Sequence, residues 1–95
     1  MIIKGIFELV YTLLSVEYSL VMPGAVIKKG AVVRYAIIAE DAVIGENAQV
    51  GVLPETVNPD DFGITVIGDN LTVGENAVIG PKKMITENVD RGAKI

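Results

Sequence analysis

The side chains best suited to hold a charged ligand are Lys28, Lys29 and Arg34, which stand close together in the chain. An ammonium or guanidinium group pairs with phosphate and carboxylate oxygens, arginine through a two-pronged fork. A phosphorylated effector or an acidic partner surface would suit them. The plainer alternative is that they are solvated corner residues whose charge aids solubility, and Lys82 and Lys83 pose the same choice. Little other chemistry is on offer. The chain has no histidine and no cysteine, so the usual zinc site, a Ser–His or Cys–His pair, a histidine base and a disulfide are all excluded. Carboxylates and lysines form no believable constellation. The sequence therefore assigns no catalytic residue, no metal ligand and no cofactor in this chain.

The elements that must position these residues follow from composition and period. With 95 residues, 51% hydrophobic and 21% charged, the chain has room for one packed domain. Fourteen valines and twelve isoleucines against six leucines favour strands over helices. A net charge of −4 argues against nucleic-acid and anionic-membrane partners. Lys4, Glu8, Thr12 and Ser15 interrupt the apolar stretch of residues 1–16, which fits neither a membrane span nor a signal peptide. A cytoplasmic protein is expected.

Steps of six from Leu20 meet Val26, Val32, Ile38, Ile44 and Val50, all aliphatic, and a second run meets Ile67, Val73, Ile79 and Ile85. Four residues after the first five come Gly24, Gly30, Ala36, Ala42 and Ala48, all small. A helix would scatter such a period over three directions, whereas a strand keeps i, i+4 and i+6 on one face. Polar pairs such as Glu40-Asp41, Glu46-Asn47 and Glu75-Asn76 mark corners. Gly45, Gly51, Gly68, Gly74 and Gly80 follow the aliphatic position, where a corner needs torsions that a Cβ resists. Asn47, Asn70, Asn76 and Asn88 share one corner position, which turn geometry explains. Short strands joined by corners stack as a parallel β-helix of hexapeptide repeats, three to four coils long. The ten aliphatic residues should define its core, so Val32→Asp or Ile44→Asp should unfold it.

Residues 52–62 hold two prolines and three acids and break the pattern, as a loop thrown out from one corner does. Residues 1–15 form an N-terminal apolar segment, either an irregular first coil or a capping helix, with strands slightly favoured. Residues 16–95 form the β-helix. Two open ends with unpaired backbone groups predict a homo-oligomer, with the N-terminal segment in or beside the contact.

The stretch Val16-Glu17-Tyr18-Ser19-Leu20-Val21-Met22-Pro23-Gly24, followed by Arg34-Tyr35-Ala36-Ile37-Ile38 and Val43-Ile44-Gly45-Glu46-Asn47-Ala48, resembles the C-terminal domain of bacterial glucose-1-phosphate adenylyltransferase. The likeness covers about residues 16–90. It implies a left-handed β-helix that joins subunits and transmits effector binding, with the chemistry in a separate nucleotide-binding domain of the parent enzyme. Neither the Gly-rich loop nor the carboxylate pair of that domain occurs here. Lys83 departs from the pattern, at a position the repeat wants small. An acyltransferase of the hexapeptide class is a rival, but such enzymes generally use a histidine. A stand-alone assembly scaffold is a second rival.

Overall fold

The computed structural model describes residues 2–9, 12–53 and 55–95, with side chains described from Ser15 onward. Met1, Val10 and Tyr11 of the N-terminal segment and Pro54 of the loop lie outside the described residues. Strands β1 (Ile2–Leu9) and β2 (Thr12–Val21) pair antiparallel. All other strands pair parallel: β3 (Val26–Ile27), β4 (Val32–Arg34), β5 (Ala36–Ile38), β6 (Val43–Ile44), β7 (Gln49–Gly51), β8 (Thr65–Ile67), β9 (Thr72–Val73), β10 (Val78–Ile79) and β11 (Met84–Ile85). A 3-10 turn, Pro59–Asp61, lies in the loop.

The parallel strands wind into a β-helix with three faces. Residues 15–17 of β2 open the first face, which continues through β4, β7 and β10. Residues 20–21 of β2 open the second, followed by β5, β8 and β11. The third is β3, β6 and β9, extended by a bridge from Val73 to Val89. Strand β1 lies along the other edge of β2, so the first two faces gain an antiparallel strand where the helix would otherwise start open. The N-terminal segment is therefore a strand pair, and its second strand is already the first coil.

Register picks out three inward columns. Val16, Val33, Val50 and Ile79 stack on the first face. Val21, Ile38, Ile67 and Ile85 stack on the second, and Ile27, Ile44, Val73 and Val89 on the third. All are buried except Val21 and Ile27 in the first coil, which are half-buried and pack against the same core. This corrects the hexad frame in its first half. Val26 is 47% exposed and Val33 is 0% exposed, while Leu20 and Val32 are half-buried and face outward. From Ile38 onward the expected core positions, Ile38, Ile44, Val50, Ile67, Val73, Ile79 and Ile85, are buried.

The slip has one cause. Val33 and Ile38 are separated by five positions, not six, because the corner between β4 and β5 is a single residue, Tyr35, at φ +52°. Tyr18 turns the same corner one coil earlier at φ +50°. Each of these coils therefore advances seventeen residues, as between Val16 and Val33.

The other two corners are four-residue turns. Ala25, Ala31, Ala42, Ala48, Ala77 and Ala93 donate their N–H groups to the carbonyl three residues back, at 3.2–3.3 Å. The residue before each alanine is left-handed: Gly24, Gly30, Asp41, Asn47, Asn76 and Gly92, with φ between +59° and +80°. Glycine, asparagine and aspartate tolerate that region best. Of the glycines assigned to corner torsions, only Gly51 has a positive φ. Gly45 and Gly74 are needed for closeness instead: a Cβ on Gly45 would sit 2.6 Å from Glu75 N, and one on Gly74 would sit 2.3 Å from Arg91 N. Asn88 also differs from its expected role. Its Oδ1 accepts the Thr72 N–H at 2.8 Å, whereas Val43 N donates to the Leu71 carbonyl at the equivalent place one coil earlier.

Candidate functional site

The three basic residues do not form one site. Lys28 and Lys29 are exposed at the corner between the third and first faces, and Arg34 lies at the corner between the first and second. Lys29 heads a column of corner residues, joined by backbone bonds from Asn47 to Lys29, Asn76 to Glu46 and Gly92 to Glu75. That column runs Lys29, Glu46, Glu75 and Arg91, two acids between two bases, and its last pair closes to 3.4 Å. Exposed pairs of this kind contribute little, typically under about 1 kcal/mol. Lys28 borders a shallow groove with Val43, Glu46, Thr72 and Glu75, whose two carboxylates make it a poor anion site.

Side chains from distant parts of the sequence converge at the corner of Tyr18 and Tyr35. The two tyrosine rings stack at 5.0 Å between centroids, 20° apart in plane. Phe62, from the loop, meets Tyr35 edge-on at 5.4 Å and 82°. The Arg34 guanidinium carbon lies 5.9 Å from the Tyr35 ring centre. Its Nη1 donates to the carbonyls of Leu53 at 3.0 Å and Val52 at 3.3 Å. Arg34 is thus committed to the root of the loop.

The loop leaves from this corner, as expected. Gly51, at φ +95°, begins the exit, and a Cβ there would sit 1.8 Å from the Arg34 carbonyl oxygen. Lys82 Nζ donates to the Asp60 carbonyl and ties the 3-10 turn to the last coil. Thr65, fully buried, donates its hydroxyl to the Gly80 carbonyl at 2.7 Å. Ser19, also buried, donates to the Glu17 carbonyl at 2.8 Å and accepts the Ala36 N–H at 3.2 Å. These two polar residues take small inward positions at the corner and are satisfied there. Lys83 follows in the same column, but its side chain is exposed.

The arrangement is structural chemistry. A bulky residue in the left-handed region costs about 1–2 kcal/mol, and each aromatic pair returns about 0.5–1.5 kcal/mol. The ring ladder offsets the strain of the tight corner and clamps the loop. Sequence reasoning singled out Arg34 but not Tyr18, Tyr35 and Phe62; the signal lay in the spacing of the two tyrosines, which equals one coil. Among the described residues no group of three or more acidic, histidine or cysteine side chains could hold a metal ion. No helix among them is long and apolar enough to cross a membrane.

Parallel coils, a column of aliphatic residues on each face and left-handed corner residues define a hexapeptide-repeat β-helix. A protein family described as GlmU-like, C-terminal hexapeptide, matches residues 8–73. The chain belongs to that family. No curated protein matches the chain.

Proposed function

We propose that this domain is the non-catalytic β-helix of a glucose-1-phosphate adenylyltransferase, serving glycogen synthesis by joining subunits and carrying an effector response. The observation that supports the reading most is the Ser19-Leu20-Val21-Met22-Pro23-Gly24 element. Ser19 bonds two backbone segments, Val21 enters the core, and Pro23-Gly24 turn the next corner. On this reading the chain binds no cofactor or metal, the nucleotide chemistry belongs to the catalytic domain of the parent enzyme, and the protein works in the cytoplasm. Its partners are further copies of itself and that catalytic domain, with no nucleic acid and no membrane. Of the three basic residues Arg34 is engaged with the loop, and Glu46 and Glu75 beside Lys28 weigh against a phosphorylated effector there, which leaves Lys28 and Lys29 to the solvated-corner reading.

Exposed apolar side chains on the last coil support a second reading, a stand-alone assembly scaffold. Met84 and Ile95 are exposed there beside Ile85 and Val89, a surface that could stack on another coil. An acyltransferase would need a histidine that this chain does not supply.

The test is a domain exchange. An authentic glucose-1-phosphate adenylyltransferase carrying residues 16–95 in place of its own β-helix should remain assembled and turn over ADP-glucose, while the chain alone should not. A chimera that falls to single subunits, or turnover by the isolated chain, would contradict the proposal.

A further inference from the structure

The three faces begin differently in the first coil. Strand β1 pairs with β2 along the leading edge of the first and second faces. On the third face β3 pairs with β6 alone among the described residues. The second coil shows which backbone groups look toward that edge. Asp41 and Asn47 donate their N–H groups back to the Pro23 and Lys29 carbonyls, and the Ala42 and Ile44 carbonyls receive the N–H groups of Val26 and Lys28. The equivalent groups of the first coil are the N–H groups of Gly24 and Gly30 and the carbonyls of Ala25 and Ile27. None of the four has a partner among the described residues. The Ile27 N–H joins them, because Val26 and Lys28 on either side both donate to the next coil and a strand alternates its directions.

The edge is also clear of side chains. In the second coil the left-handed corner residues Asp41 and Asn47 send side-chain oxygens back to Gly24 and Gly30. Glycine stands at both of those corners in the first coil, so nothing projects beyond them. A hollow of about 290 Å³, lined by Val21, Met22, Pro23, Gly24 and Ala25 of the first coil, lies beside the start of β3. The N-terminal residues do not suit a preceding coil. Seventeen positions, one coil, before Ala25, Gly30 and Ala31 stand Glu8, Leu13 and Leu14, where the repeat requires a small residue, a left-handed one and a small one.

We infer that β3 is a docking edge for an extended peptide of a partner protein, added antiparallel as a further strand. Backbone chemistry selects that occupant, since a row of alternating donors and acceptors is matched by another extended backbone. The antiparallel sense continues that of β1, whose Ile2 lies opposite Leu20, one corner away. A peptide residue opposite Ile27 exchanges both bonds with it, and the residue two further on donates to the Ala25 carbonyl. These two side chains face inward, one over Ile27 and one over the hollow, and should be aliphatic. The hollow is smaller than the roughly 300–1,000 Å³ of small-molecule sites and suits a single side chain. The residue two before the first lies opposite Lys29, where a carboxylate adds a weak rim pair that sets direction more than affinity.

NMR titration of the whole chain with the capped peptide Glu-Thr-Val-Thr-Val tests this. On binding, the Ile27 amide should become protected from hydrogen exchange, while those of Val26 and Lys28, already bonded to the next coil, should change little. N-methylation of the first valine removes the donor to the Ile27 carbonyl and should weaken binding about tenfold. N-methylation of the second threonine, whose N–H faces away, should be tolerated. Lys29→Glu should reverse the preference toward Lys-Thr-Val-Thr-Val. No binding, equal losses from both N-methylated peptides, or an Ile27 amide already protected in the free chain would overturn the docking edge. A Lys29→Glu variant that still prefers the acidic peptide would overturn the antiparallel placement.

Discussion

Two kinds of corner hold the β-helix together, and they solve one problem in different ways. At two corners a four-residue turn spends its left-handed position on glycine, asparagine or aspartate, as at Gly30, Asn47 and Asn76, residues that tolerate it at little cost. At the third, in the first two coils, a single tyrosine takes that conformation and the coil shortens by one residue, whereas in the last coil Lys82 takes it, at φ +64°, in a longer turn. The first kind is locally satisfied and needs nothing from outside. The second is strained and stands because its rings stack on each other and on the loop. Local turn chemistry makes a repeat interchangeable; tertiary contacts make one corner particular, and it is there that the loop can be inserted without disturbing the coils.

The largest effect that separates the two descriptions of the core is a charge at Val33. Val33→Asp should prevent folding, because an unpaired carboxylate would be placed at a position with no solvent access, at a cost above about 4 kcal/mol. Val32→Asp, on the outward side, should leave a cooperative thermal transition. Unfolding by Val32→Asp with a cooperative transition kept in Val33→Asp, followed by circular dichroism, would restore the strict period of six.

A smaller effect falls on the tyrosine corner. Tyr35→Ala keeps the left-handed strain and removes both ring contacts, so it should lower stability by about 1–3 kcal/mol. The loop should then be cut sooner by a protease, since Phe62 has lost its partner. Urea melts and limited proteolysis read the two consequences separately, and an unchanged cleavage rate would show that the loop is held without the ladder.

The smallest change belongs to the regular corners. Asn47→Ala should lose about 1 kcal/mol, whereas Asn47→Gly should be close to neutral, because glycine already stands at the equivalent Gly30. A large loss on Asn47→Gly, measured by urea titration, would mean the asparagine side chain does more than permit the turn.

The parallel β-helix, the loop and most of the core from Ile38 onward were legible in the period alone. The first half misled because its strands carry aliphatic residues in adjacent pairs, Leu20-Val21, Val26-Ile27 and Val32-Val33, so either frame satisfies a hydrophobic count. A better discriminator was present: only the shifted frame lines up Gly24 and Gly30 with Asp41 and Asn47 at the left-handed position, leaving Ala25 and Ala31 as the small inward residues. The role of Arg34 was hidden for another reason. Whether a corner cation meets solvent or a carbonyl depends on where the loop folds back, and no local pattern records that. Asn88 resembled its counterparts in sequence, but the last coil is one residue shorter between Val73 and Val89, and its side chain fills the place of a missing carbonyl.

The five-residue step at Tyr35 is the centre of this account, and thiol accessibility tests it most directly. The chain contains no cysteine, so single substitutions Val26→Cys, Val33→Cys and Ile44→Cys each report one site. The structure predicts rapid labelling at Val26→Cys and protection at Val33→Cys equal to that at Ile44→Cys, which is inward in either frame. Protection at Val26→Cys with rapid labelling at Val33→Cys would contradict it.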